Sequence, residues 1–176
     1  TASSAYVISA SDIRRSGVTS IPELLRMVPG LFVGHIDSNT WMIFSRGLGN
    51  EFTQKLLVLI DGRSVYNPVW GGVHWDVQDY LLEDIERIEV IRGPGGTLWG
   101  ANAGNGVINI ITKHAIDTQG GLLTGTAGTN EMGGAFRYGG AFSHDAFYRV
   151  YGKYKDSDEF KDALGNNAFD DWSMGN

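Results

Sequence analysis

Two stretches of the chain carry the hydrophobic pattern of buried β-strands. Leu56–Ile60 is a continuous apolar run closed by an Asp-Gly pair, which is typical of a strand that is buried on both faces and ends in a turn. From Arg87 to Arg92 apolar and charged residues alternate with a period of two, and a segment rich in glycine follows. The strands predicted in this first part of the chain are Tyr6–Ser9, Leu56–Ile60, Arg87–Arg92 and Val107–Thr112.

Short helices are predicted between these strands. One begins at Ser11 and ends at Gly17. A second begins at Ser20, whose spacing from Glu23 is that of a capping box, and a Pro-Gly pair stops it. Asp76 is expected to cap a third helix that ends about six residues later. Four strands with two or three short helices predict a small α+β domain.

From Gly120 onward the pattern changes to long strands joined by short turns, without helical segments. The candidate strands are Leu122–Gly128, Gly133–Ser143 and Ala146–Lys155. In the last two, aromatic residues fall on one face and charged residues such as Arg137 and Arg149 fall on the other. Apolar residues outside and charged residues inside, over segments of about 10 residues, are typical of outer-membrane β-barrels.

The same alternation would also fit an ordinary antiparallel sheet in solution with one wet face, and the pattern alone leaves both interpretations open. Three strands cannot close a barrel. An unpaired strand edge inside lipid would be very costly, so on the barrel interpretation the chain is expected to be a fragment with an incomplete barrel.

Composition and charge restrict the partners of the chain. Its 176 residues include 14 Lys and Arg against 20 Asp and Glu, for a net charge of -6, which disfavours nucleic acid as a partner. Cysteine is absent, so the sequence excludes disulfides and thiolate metal sites. The longest apolar run, Leu56–Ile60, is far shorter than the roughly 20 residues of a membrane-spanning helix. The chain opens at Thr1 without a signal-peptide pattern, so such a peptide is expected to have been removed or never included.

No motif indicates catalysis, a metal site or a cofactor. The glycines between Gly93 and Gly106 lack both the Gly-Lys-Ser/Thr ending and the G-x-G-x-x-G spacing of phosphate-binding loops. His74, Asp76 and Asp79 could ligate a metal, but three such donors are common by chance and Asp76 is assigned to helix capping. No nucleophile is paired with a base. We therefore expect neither an enzyme nor a metal or cofactor site.

Four sequence segments occur in an order that is characteristic of one family. The densest, Asp84–Lys113, reads DIERIEVIRGPGGTLWGANAGNGVINIITK. Upstream lie LLVLIDGRSVY over Leu56–Tyr66, FSRG over Phe44–Gly47 and LLRMVPGL over Leu24–Leu31. Together, over about residues 5–113, they resemble the plug domain of TonB-dependent receptors. Trp99 stands where that family usually has Tyr, Ser45 interrupts an apolar position, and no TonB box is identified ahead of Thr1.

The resemblance implies a domain division and a fold. Residues 1–115 are expected to form the plug, with a mixed four-stranded sheet and short helices. Residues 120–176 are expected to form the first antiparallel strands of a transmembrane β-barrel, which in the family has roughly 22 strands and encloses the plug.

The resemblance also implies residues that hold the plug in its barrel. Family arginines at the positions of Arg46 and Arg92 pair with glutamates of the inner barrel wall, and Glu89 is assigned to the same locking set. Each arginine is followed by Gly, whose small size lets the guanidinium reach outward. The alternative is that each arginine pairs with acidic residues of the plug itself, such as Glu86 or Glu89.

A set of aromatic residues is a candidate for ligand contact, because aromatic side chains in connecting segments are costly to expose unless they touch something. The set comprises Trp41, Tyr66, Trp70, His74 and Trp75. Family plugs present such apical loops to the ligand, and packing against the inner barrel wall is the alternative.

The function implied is gated uptake of a scarce nutrient, such as a ferric siderophore, haem, cobalamin or oligosaccharide, across the outer membrane of a Gram-negative bacterium. The implied partners are the TonB-ExbB-ExbD complex, whose contact segment is expected to be missing here, the barrel of the same chain, and the small-molecule ligand. One alternative is a soluble plug-like periplasmic module that binds a ligand or partner without transport. A helix-turn-helix at Asp12–Val28 is a distant third, because the chain is acidic.

Overall fold

A computed structural model describes residues 4–45, 55–69, 71–93, 96–160, 164 and 166–175, with the side chains of 96 and 97 excepted. Two compact units are present: Thr1–Ile36 with Thr40–Thr112, and Asp37–Asn39 with Lys113–Asn176. Among the described residues, no helix is long and apolar enough to cross a membrane.

The described residues of the first unit form seven strands and short helices. The strands are β1 (Ser4–Ser9), β2 (Leu31–His35), β3 (Trp41–Ser45), β4 (Leu56–Ile60), β5 (Arg63–Ser64), β6 (Ile85–Arg92) and β7 (Gly106–Thr112). The helices are α1 (Ala10–Ser16), α2 (Ile21–Leu25), α3 (Gly96–Trp99) and a 3-10 turn at Leu82–Asp84. β2 and β3 form a separate antiparallel pair that the hydrophobic pattern did not predict.

The main sheet has the order β1-β6-β7-β4-β5. β4 and β7 run parallel, and the other neighbours are antiparallel. The predicted mixed sheet of four strands and the α+β class are therefore confirmed, with the two-residue β5 added at one edge.

Each face of this sheet carries its own apolar cluster. On one face, Val58, Ile108 and Val90 lie side by side on β4, β7 and β6 and are fully buried under α1 and α2. The smaller cluster on the other face contains Leu57, Leu59, Ala103 and Val107. Burial on both faces explains the unbroken apolar run of β4, because burying each such side chain contributes about 1.5–3 kcal/mol.

The helix starts differ from the predicted ones. The capping box forms at Ser9 and Asp12. The Asp12 N–H donates to the Ser9 hydroxyl, and the Ser9 N–H donates to the Asp12 carboxylate. Ser20 does precede α2, but its side chain makes no capping bond, and the Glu23 carboxylate accepts from the Thr19 N–H rather than from the Ser20 N–H. The helix predicted after Asp76 is wrong, since that segment is irregular as far as the turn at Leu82–Asp84.

The helix-turn-helix interpretation is not supported by α2. This helix has five residues, and its Leu24 and Leu25 side chains are fully buried in the main cluster. A recognition helix must present its side chains to the major groove of DNA, which α2 does not do.

The second unit is an antiparallel sheet of order β11-β10-β9-β8. Its strands are β8 (Gly120–Ala127), β9 (Glu131–Ser143), β10 (Ala146–Ser157) and β11 (Trp172–Gly175), after a 3-10 turn at Ala115–Thr118. The three predicted strands are thus present with slightly longer bounds, and the sheet is not closed by its described strands.

The two faces of the second sheet differ as predicted. Large apolar side chains on one face are more than half exposed: Leu123, Phe136, Tyr138, Phe142, Val150 and Tyr154. We call these six residues the apolar row. On the opposite face Arg149 donates to the Lys113 carbonyl at 3.0 Å, and Lys155 pairs with Glu131 at 2.9 Å.

Candidate functional site

Arg92 lies at the end of β6, opposite Ser4 of β1 and Gly106 of β7. Its Nη1 donates to the carbonyl of Pro29. The turn that follows passes close to the guanidinium, since a Cβ on Gly30 would lie 3.5 Å from Nη1. The proline of the LLRMVPGL segment and the arginine of the densest segment are therefore brought into contact, although they are far apart in the chain.

The charge of Arg92 has no carboxylate partner among the described residues. Its Nε is buried and also lacks a hydrogen-bond partner in that part of the chain. Glu86 and Glu89 both pair with Arg87 instead. The alternative in which Arg92 pairs with these two plug acids is therefore wrong for the described structure.

Glu89, which was assigned to the locking set, has two partners within the first unit. Its carboxylate accepts from Arg87 Nε at 2.8 Å and from Asn109 Nδ2 at 3.2 Å. The hydrogen bond from Arg87, with a smaller contribution from Asn109, holds the pKa of Glu89 below its ordinary value, against the opposing effect of partial burial. A role for Glu89 in plug retention stays a prediction.

Replacing Glu89 should reduce stability in a pH-dependent way. We expect Glu89→Gln to lower the free energy of unfolding at neutral pH by about 0.5–1 kcal/mol, the range of partly exposed ion pairs. Because the pKa is lowered in the folded state, the contribution of Glu89 is complete above the ordinary value of 4.5 and is lost as the pH falls through the folded pKa. Urea unfolding should show that the difference in free energy of unfolding between the wild type and Glu89→Gln is smaller at roughly pH 3 than at neutral pH. A gap of equal size at both pH values would contradict this.

Two predicted site residues, Arg46 and Trp70, lie outside the described residues. Ser45, which directly precedes Arg46, ends β3 and is buried. Its carbonyl accepts from the side-chain amide of Asn105 at 3.3 Å. Sequence reasoning did not single out Asn105.

Trp41 and Trp75 are core residues in this structure. Trp41 was predicted in a loop, but it is the first residue of β3 and is only 8% exposed. Trp75 is 4% exposed. The ring centroids of Trp41 and His35 lie 3.4 Å apart. The Arg26 guanidinium lies 5.4 Å from the Trp41 ring centroid, as in a cation-π contact. These large side chains gain more from filling the core than from exposure in a loop.

Tyr66 and His74 lie in the irregular segment after β5, and both are half-buried. A turn in this segment is closed by Asn67, whose N–H donates to the Gly72 carbonyl at 2.7 Å. His74 Nδ1 lies 3.7 Å from a carboxylate oxygen of Asp76. Of the aromatic set, Tyr66 and His74 remain candidates for ligand contact, and no group of three potential metal ligands occurs in the described ranges.

Comparison with known proteins identifies the class. Residues 1–107, more than half of the chain, match the family model of the TonB-dependent receptor plug domain. The chain therefore belongs to the TonB-dependent receptor plug domain family.

Individual relatives support this membership. The vitamin B12 transporter BtuB of Vibrio vulnificus is 32% identical over 164 residues, which is 89% of this chain and 25% of that protein. The ferric enterobactin receptor PirA of Pseudomonas aeruginosa is 35% identical over 183 residues, 91% of this chain and 24% of that protein. The crystal structure of a mutant ferric enterobactin receptor of Pseudomonas aeruginosa in complex with enterobactin aligns with a TM-score of 0.65 at 26% identity, over 92% of this chain and 26% of that one. The chain thus spans about a quarter of the length of the curated relatives it matches.

Proposed function

We propose that this chain is the gate and the first barrel strands of a TonB-dependent transporter in the outer membrane of a Gram-negative bacterium. The gate is the first unit, and the second unit supplies strands to the barrel wall. A ligand binds the outward loops of the gate, and force from the TonB-ExbB-ExbD complex shifts the gate so that the ligand passes. Binding and movement are sufficient for this role, and we assign no bond-making step to the chain.

The observation that carries the proposal is the apolar row of the second sheet. The residues of the apolar row lie on one face and are more than half exposed, while Arg149, Lys155 and Glu131 lie on the opposite face. Water would make such a contiguous face costly, whereas the hydrocarbon of a membrane covers it without penalty. A sheet of this kind that follows a plug-family unit suits the wall of a barrel whose lumen is polar.

The ligand class is a part of the proposal that the relatives support. The names of those relatives include a vitamin B12 transporter and a ferric enterobactin receptor. We propose a bulky, scarce nutrient of this kind, a ferric siderophore or a cobalamin, as the ligand. Tyr66 and His74 are the described residues that we propose to contact it, together with Trp70.

Arg92 is proposed to anchor the gate through a carboxylate of the barrel wall. A guanidinium that is partly buried without a carboxylate partner is expensive, so a partner from outside the unit would stabilise it. Arg46 is proposed to act in the same way on the basis of the family resemblance.

Removing this charge should loosen the gate. In single-channel recordings of the full-length receptor, we expect Arg92→Ala to raise the frequency of open events by about a hundredfold or more, because a broken buried charge pair costs about 3–5 kcal/mol. Arg15→Ala is the matched control, since Arg15 is largely exposed and pairs only with Asp12 of its own helix among the described residues. Unchanged opening with Arg92→Ala, in a protein that unfolds as the wild type does, would overturn the anchoring role.

The soluble binding module is the less favoured function. It would require the apolar row to be covered by something other than lipid, and no feature of the described residues supplies such a cover. Partition of the purified chain into detergent or lipid vesicles separates the two proposals.

A further inference from the structure

Asn105 links three segments that come together at the Arg92 end of the main sheet. Its N–H donates to the Lys55 carbonyl at 2.8 Å, just before β4. Its carbonyl accepts from the Gly93 N–H at 3.2 Å, just after β6. Its side-chain Nδ2 donates to the Ser45 carbonyl at 3.3 Å, at the end of β3. Asn105, which directly precedes β7, is therefore hydrogen-bonded to residues at the ends of β3, β4 and β6.

The placement of these bonds relates them to the two arginines. Gly93 directly follows Arg92, and Ser45 directly precedes Arg46. The side-chain bond is also a link between the separate β2–β3 pair and the main sheet, because β3 belongs to the former and Asn105 leads into the latter. Backbone groups on the flanks of both arginines are thus held by Asn105.

We propose that Asn105 is a positioning residue: it holds the end of β3 against the main sheet, and through the partner strand β2 it places the Pro29 carbonyl that Arg92 contacts. This inference rests on the proposed anchoring of the gate by Arg92. The side-chain amide is the specific element, because it is the group that donates to the Ser45 carbonyl. The two backbone bonds need no particular side chain, so replacement of Asn105 removes the link to β3 and leaves the other two in place.

The test compares Asn105→Ala with Arg92→Ala and with the double variant, all in the full-length receptor. We expect Asn105→Ala to raise the frequency of open events by about fivefold, the factor that corresponds to one lost hydrogen bond. In the Arg92→Ala background the same change should add little, because the two residues act on one anchor and their effects are coupled. Asn105→Asp, which keeps the shape but places a carboxylate against the Ser45 carbonyl, should free β3 at least as much as Asn105→Ala does.

Hydrogen exchange supplies a readout that does not depend on the channel. In Asn105→Ala, amides of β3 should exchange about fivefold faster, while those of Val58–Ile60 keep the wild-type rate.

If Arg92→Ala opens the channel and Asn105→Ala does not, or if the two effects multiply independently, the inference is overturned and the proposed function stands. If Arg92→Ala has no effect but exchange in β3 is faster in Asn105→Ala, the anchoring role of Arg92 fails and the ordering role of Asn105 is supported. Unchanged exchange in β3 overturns the inference.

Discussion

Gly106→Ala is expected to destabilise the first unit by about 3 kcal/mol or more, a large part of the stability of a small domain. Gly106 has φ of 153°, a conformation that residues with a Cβ adopt only with strain of about 1–3 kcal/mol. A Cβ there would lie 2.5 Å from the Ile91 carbonyl oxygen and 3.3 Å from a methyl group of Leu56. Because the carbonyl belongs to the β6 backbone, relief requires β6 and β7 to separate, at a further cost of about 1–3 kcal/mol.

Urea unfolding of the purified chain in detergent, followed by tryptophan fluorescence, measures this loss through the buried Trp41 and Trp75. Gly104→Ala is the matched control two residues away. A Cβ on Gly104 would meet only the Cβ of Lys55 at 3.8 Å, and no strained φ is involved, so its unfolding midpoint should stay close to the wild type. Equal midpoints for Gly106→Ala and Gly104→Ala would contradict the close packing of β6 on β7.

The main sheet could be predicted because local pattern and tertiary burial agree in its strands. The unbroken apolar run of Leu56–Ile60 reflects burial on both faces, and the alternation before Arg92 reflects a strand whose second face is only partly covered. The aromatic and charged faces of β9 and β10 were predictable for the same reason, since a period of two maps directly onto a strand.

The β2–β3 pair and the segment after β5 could not be predicted in this way. β2 contains Gly34 and His35, and it is too short and mixed to show a period. Asp76 has the chemistry of a helix cap, but the residues after it pack Leu81 and Leu82 into the core without a helix. In such segments tertiary contacts, which no local window contains, decide the structure.

The candidate site was predicted in part. Arg92 was singled out by its motif, but its contact with Pro29 joins segments that are far apart in the chain. The partners of Glu89 and the three bonds of Asn105 likewise depend on strand order and register. Trp41 was placed between the predicted strands, and the structure instead makes it the first residue of β3, which pairs with β2 and buries the Trp41 side chain.

In the proposed function, the first unit closes the lumen of a barrel. Removal of residues 1–112 from the full-length receptor should therefore convert a closed protein into an open pore. Barrels of roughly 22 strands enclose a lumen that is plugged, and once the plug is absent water and ions fill that lumen. We expect the open fraction to rise from about zero to nearly one.

Single-channel conductance in a planar bilayer measures this most directly, and it requires no knowledge of the ligand. Equal amounts of inserted barrel, checked by protease resistance in the membrane, provide the control. We predict that the intact receptor opens only rarely and that the protein without residues 1–112 conducts steadily. Equal conductance of the two proteins, with both barrels inserted, would contradict the assignment of this unit as a gate.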